Sequence, residues 1–236
     1  MPSDPSNVTP AGPLGDGAEP HAATAALLRA LHEIFGAEPR PGAHLAAEAL
    51  RAAIDAPLPP NLAQPRQMPQ ALRAVLAARG PDAEAGCHAP SPGSPAAKAA
   101  TATDGLAALP WEIWDPWRAS GIARPEPGPL PFAIAVLVGP GAPYPSQTAV
   151  VGLFAQAPGA YYPPHAHAAE ETYAILRGTA LWSLDGSPET PQPPGSLIFH
   201  PSQGVHATRT IDAPLLAAWR WSGDLSPGTY RLLTDA

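Results

Sequence analysis

The chain has 236 residues, of which 45% are apolar, and a net charge of −7 from 13 Lys and Arg against 20 Asp and Glu. That length allows one large domain, or one domain with a helical extension. The acidic balance and the lack of a basic cluster argue against a nucleic-acid partner, because neutralising phosphates needs a basic patch.

The first stretch, 1–20, is rich in Pro, Gly, Ser and Asp and reads as a disordered leader. It has no basic start followed by an apolar run, and nowhere does an apolar run approach the ~20 residues that span a bilayer. The one cysteine, Cys87, can form no internal disulfide. These features give the expectation of a cytoplasmic protein with no membrane partner.

From Ala22 the pattern becomes helical. Leu27, Leu28, Leu31, Ile34 and Phe35 recur at helical spacing, and Gly36 ends the run. A second helix is predicted over about 43–56, stopped by Pro57, and a third over about 69–79. The three could form a small bundle or lie as a cover on another domain. His32 and His44 fall among them and read as surface or helix-lining residues. Residues 81–105 are mostly Ala, Pro, Ser and Gly and read as a linker, so 21–105 is expected to be a helical N-terminal region with a Pro/Ala-rich linker. Cys87 and His88 lie in it without partners at ligand spacing. Trp111, Trp114 and Trp117, spaced by three, read as a short helix or turn with an aromatic side, any one of which could wall a pocket.

After Pro131 the texture is β. The runs 131–139, 148–156, 171–178, 179–186, 195–201 and 213–221 are short and apolar, with Gly, Pro, Ser and Asp between them. This predicts an antiparallel sandwich or barrel over 106–236. Within it, GAYYPPHAHAAEETYAILRG (159–178) carries His165, His167, Glu171 and Tyr173. On one unbroken strand these four share a face, and two imidazoles with a carboxylate form the beginnings of a metal site. Glu170, the rival carboxylate, has the wrong parity. Downstream, His206 offers a fourth ligand, whereas His200, before a proline, reads as structural.

The spacing G-x5-H-x-H-x3-E-x6-G is matched at Gly159, His165, His167, Glu171 and Gly178, and G-x5-P-x-G-x2-H-x3-N is matched at Gly195, Pro201 and His206. These resemble the two cupin motifs. The second departs at Gln203, where Gly is usual, and at Thr210, where Asn is usual. The resemblance implies a mainly β fold, a cupin double-stranded β-helix (jelly-roll barrel) with an α-helical N-terminal part and its metal inside. Three imidazoles and a carboxylate suit one divalent transition metal, Fe, Mn, Ni, Co or Zn.

The run YYPPHAHAAEETYAILRGTALW together with HPSQGVHATRT is similar to the cupin-type lyases of dimethylsulfoniopropionate (DMSP), which release dimethyl sulfide and acrylate by β-elimination. By that resemblance Tyr173 lies at the metal and Tyr162 in the pocket, either of them the base. Strand parity places Tyr173 with Glu171; Tyr162 precedes Pro163 and Pro164, where alternation breaks, and its direction stays open. A free phenol titrates near ~10, so a base role requires a nearby cation to favour the phenolate. The sulfonium requires aromatic faces, each worth about 0.5–2 kcal/mol, and Trp182, Trp219, Trp221 and Phe199 are the candidates. Arg209 reads as the partner of a surface acid. The rival readings are another cupin enzyme, an oxygenase or isomerase acting on a small carboxylate or sugar, and a non-enzymatic cupin that binds a small molecule. The expected partner is a small-molecule substrate; the oligomeric state is open, with a homodimer among the options.

Overall fold

The computed structural model describes residues 18–59, 62, 69–78, 91–101, 106–107 and 109–233. Residues 1–17, Cys87 and His88 lie outside the described residues. Four helices come first: α1 (Ala18–Gly36), α2 (Ala43–Asp55), α3 (Gln70–Ala77) and α4 (Pro95–Thr101). α4 stands inside the stretch read as linker. Its sequence gives the reason: Ser94 accepts the Ala97 amide at 3.2 Å, Pro95 begins the first turn, and alanines follow. Ala96 and Ala99 are buried in the apolar cluster that includes α1, and Lys98 pairs with Glu33 at 2.8 Å.

The β part opens with β1 (Trp111–Ile113), a four-residue helix α5 (Pro116–Ala119), β2 (Phe132–Gly139), β3 (Tyr144–Pro145) and β4 (Ala149–Gln156). It continues with β5 (Tyr161–Ala166), β6 (Ala169–Arg177), β7 (Ala180–Leu184) and β8 (Thr190–Gln192). The last strands are β9 (Leu197–His200), β10 (His206–Arg209), β11 (Leu215–Gly223) and β12 (Arg231–Leu232). One sheet runs β1-β2-β4-β11-β6-β9, with β3 beside β2, and the other runs β12-β5-β10-β7-β8. This is the cupin barrel that the motifs imply.

Alternation along the larger sheet produces two cores. Phe132, Phe154, Tyr173, Ile175 and Trp219 point into the barrel. Ala135, Leu153, Ala155, Ala174 and Ala218 point outward and meet Leu31, Phe35, Leu50, Leu72 and Val75 of the helices. The helices therefore cover the outer face of the larger sheet. Their attachment is also ionic. Glu38, just after α1, accepts from Arg220 Nε at 2.7 Å and Nη2 at 2.6 Å, and from Thr172 at 2.6 Å, all buried. No helix among the described residues is long and apolar enough to cross a membrane.

Two details explain the motif positions. Gly178 adopts φ +77°, and a Cβ there would meet the Pro214 carbonyl at 2.0 Å, so only glycine fits. Gln203 holds φ +66° where glycine is usual, and its side-chain oxygen accepts from Arg231. Thr210 takes the place of the usual Asn by donating to the Ala157 carbonyl at 2.6 Å and accepting the Ala160 amide at 3.0 Å.

The tryptophan triplet does not form one helix. Trp111 is buried in β1 and donates to the Leu106 carbonyl at 2.7 Å. Asp115 caps the short α5 by accepting the Arg118 amide at 3.0 Å. Pro116 starts that helix, which breaks the i, i+3 relation between Trp114 and Trp117.

Candidate metal centre and cavity

The stretch carrying the two histidines is not one strand. β5 ends at Ala166 in the smaller sheet and β6 begins at Ala169 in the larger one, so His167 sits in the crossing. His165, from β5, and Glu171 and Tyr173, from β6, converge because the two sheets face each other. His206 arrives opposite His165 in the β5–β10 register.

Ligand atoms of His167, Glu171 and His206, all buried, lie within 4.8 Å of one another, a group that could hold a metal ion. Glu171 Oε2 is 3.3 Å from His167 Nε2 and 3.1 Å from His206 Nε2. His165 stands beside them, its ring centroid 4.0 Å from that of His206. The three imidazoles share one device: Nδ1 meets a backbone carbonyl, Pro163 at 2.8 Å for His165, Ala169 at 2.9 Å for His167 and Gly204 at 2.9 Å for His206. A carbonyl only accepts, so each Nδ1 carries the proton and each Nε2 lone pair is free for a cation. His206 Nε2 is buried with no hydrogen-bond partner. Bare nitrogens about 3 Å from a carboxylate oxygen repel it unless a cation lies between them, and that spacing suits ligands ~2.0–2.2 Å from one metal. The donor set therefore fits a divalent transition metal.

The electrostatics agree. Burial alone would raise the Glu171 pKa, but the neighbouring imidazoles, His167 first, hold it well below the usual carboxylate range. Burial works against charge on His167, and the Glu171 carboxylate outweighs it, so that pKa is raised. Burial, then His206, pushes His165 well below its ordinary value. His200, also buried, is pushed down to about 4 by burial and then by His206, against the pull of Glu171. It faces Glu171 with Nδ1 3.3 Å from Oε2 and stacks on His206 at 3.8 Å.

Above this group opens a cavity of about 460 Å³. Its walls include Trp114, Phe154, Tyr162, Tyr173, Trp219, Trp221 and Tyr230, with Ile134, Val136, Val150 and Leu225 beyond them; no Lys or Arg is among the described residues lining it. None of α1 to α4 reaches it. Tyr162 points inward: its oxygen accepts the Trp114 indole N–H at 2.7 Å and lies 2.9 Å from the Tyr230 hydroxyl, and its ring stacks on His165 at 4.1 Å. Burial raises its pKa, against the lowering pull of the Tyr230 and Trp114 hydrogen bonds. Tyr173 is raised well above its ordinary value, by burial first and then by the Glu171 charge.

The aromatic candidates separate. Trp219 and Trp221 line the cavity. Trp182 is absent from its wall and packs behind Tyr173, with ring centroids 4.8 Å apart. Phe199 is on the opposite face. It is paired with outward-facing Thr172 in the β6–β9 register, and Arg40 lies 5.5 Å over its ring. The expectation that it faces the pocket is corrected by strand parity: Ile198 and His200 point in, so Phe199 points out. Arg209 pairs with Glu189 at 3.2 Å, the surface acid the sequence suggested. Sequence reasoning missed Trp114 and Tyr230 as partners of Tyr162, and His200 and Trp221 as partners of Glu171. The sequence offers Trp114 as a pocket wall and Trp221 as a sulfonium face, but shows neither these partners nor any sign of Tyr230.

The family model described as dimethylsulfoniopropionate lyase matches residues 115–217. Dimethylsulfoniopropionate lyase DddQ of Ruegeria pomeroyi is 44% identical over 94 residues, which is 40% of this chain and 47% of that protein. The aligned part thus spans about half the length of that relative. A solved structure of DMSP lyase DddQ from Ruegeria pomeroyi superposes with a TM-score of 0.58 at 27% identity, covering 89% of this chain and 94% of that one. A chain from the crystal structures of the DMSP lyases RdDddP and RnDddQII superposes with a TM-score of 0.63 at 23% identity, covering 91% of this chain and 100% of the other.

Proposed function

We propose that this protein is a metal-dependent carbon–sulfur lyase that cleaves dimethylsulfoniopropionate into dimethyl sulfide and acrylate. The observation that carries the reading is a phenol, Tyr162, that accepts the Trp114 N–H and lies 2.9 Å from the Tyr230 hydroxyl, in an aromatic cavity lined also by His165, His167 and Glu171, with His206 against them. The match to the DMSP lyase family supports the choice of substrate.

His165, His167, Glu171 and His206 would hold the metal, which when bound acts as a Lewis acid toward the substrate carboxylate. No Arg or Lys is among the described residues lining the cavity to take that carboxylate. Trp219 and Trp221 present aromatic faces to the sulfonium. Tyr162, as phenolate, takes the α-proton. The C–H electrons form the new double bond, the C–S bond breaks, and sulfur leaves as neutral dimethyl sulfide with that bond's electrons. No general acid is needed.

Tyr162 is favoured over Tyr173 as the base. The phenolate oxygen of Tyr162 would receive the Trp114 N–H and the Tyr230 O–H, whereas every neighbour acting on Tyr173 disfavours its ionisation, the Glu171 carboxylate above all. The test is mass balance. Metal-loaded protein and DMSP should yield dimethyl sulfide and acrylate in equal amounts, without oxygen uptake. Oxygen consumption with Fe(II) and no sulfide release would point to an oxygenase instead.

A further inference from the structure

Glu171 stands in the middle of a rung across three adjacent strands. In register with it are Trp221 on β11 and His200 on β9. Directly opposed residues of neighbouring strands have side chains about 4.5–5.5 Å apart at Cβ, close enough for one to hold the other. Here both flanking residues turn an N–H toward the central carboxylate. The Trp221 indole, which can only donate, reaches Oε1 at 2.6 Å. His200 Nδ1 reaches Oε2 at 3.3 Å. Since the carboxylate only accepts, the His200 proton lies on Nδ1, and its Nε2 is buried without a partner. Oε2 is also the oxygen on which His167 and His206 converge.

We propose that Trp221 and His200 are positioning residues of the metal centre, their N–H groups fixing the Glu171 carboxylate so that Oε2 faces the imidazoles. This rests on Glu171 being a metal ligand. The short charge-assisted bond from Trp221 is the stronger hold. Trp221 also packs on the His167 ring at 4.5 Å, so one side chain braces two ligands. Trp219, two residues away on the same wall, is its natural control: its indole N–H is buried and has no partner. The two tryptophans thus have different work, although the sequence offers them as equivalent sulfonium walls.

The experiment is metal affinity by chelator competition with Zn(II) and Co(II) on the full chain, with the Co(II) visible spectrum recorded alongside. Trp221→Phe keeps an aromatic face and loses the N–H. It should weaken metal binding by roughly 10–100-fold and shift the Co(II) bands. Trp219→Phe should leave metal affinity at the wild-type level. If Trp221→Phe fails to fold, His200→Leu carries the test from the other side of the rung, with the same direction of loss. Wild-type affinity in Trp221→Phe or, in its place, His200→Leu, beside a loss in Glu171→Gln, overturns the positioning role and leaves the metal centre standing. Wild-type affinity in Glu171→Gln as well overturns both.

Discussion

Glu38 and Arg220 form a buried two-bond ion pair, 2.7 and 2.6 Å, that joins the end of α1 to the outer face of β11. Arg220 is fully buried, and its remaining donors reach Ser222 and the Pro41 carbonyl, both at 3.0 Å. Trp221, the next residue, faces the cavity. Removing one partner of such a pair leaves the other charged, buried and uncompensated. Glu38→Gln should therefore lower stability by about 3–5 kcal/mol, read as a lower urea midpoint with an unchanged slope. A loss within ~0.5 kcal/mol would mean that the helices are held by apolar contact alone.

Metal removal should destabilise the fold as well as abolish turnover. A ligand that binds only the native state adds about 2.7 kcal/mol at a hundred times its dissociation constant. Thermal unfolding with and without a chelator should show a lower Tm in the stripped protein, restored by adding Zn(II), Mn(II) or Fe(II). An unmoved Tm and unchanged activity after verified metal loss would contradict the metal centre.

The pH profile follows from the raised phenol of Tyr162. With Tyr162 as the proposed base the active form is the phenolate, so kcat/KM should climb with pH, on the order of tenfold per unit while the phenol is mostly protonated. Trp114→Phe removes an N–H that favours the phenolate, and should displace the rise to higher pH. A profile that falls from neutral pH upward would rule out a phenolate base.

Phe199→Ala tests the correction in the cavity wall. Because Phe199 lies outside the barrel under Arg40, this change should leave KM for DMSP within about twofold, at some cost in stability. Trp219→Ala, inside, should raise KM by the loss of a cation-accepting face worth about 0.5–2 kcal/mol.

Residue type and spacing made much of the site legible. An alternating His-x-His, a glutamate four residues on, and a distant histidine after a Gly/Pro turn mark a convergence that depends on little but the motif. The strands and helices were legible for a similar reason, since periods of 2 and 3.6 are local properties, whereas the sequence left open whether the helices bundle by themselves or cover the barrel. What was hidden depends on register between strands far apart in sequence. Trp221 meets Glu171, and Phe199 meets Thr172, only once β6, β9 and β11 are aligned. Tyr230 reaches Tyr162 through a C-terminal segment with no periodic pattern. The crossing at His167 was concealed because a strand that changes sheet keeps the composition of a strand.

The most direct test of the account is head-space dimethyl sulfide from metal-loaded wild type and Tyr162→Phe at equal metal occupancy. The account predicts sulfide release from the wild type and a loss of roughly 10²–10⁴ in kcat for the variant, with metal affinity retained. No sulfide above the uncatalysed rate from the wild type with any of Fe, Mn, Ni, Co or Zn would contradict the lyase reading, and full turnover in Tyr162→Phe would contradict the base.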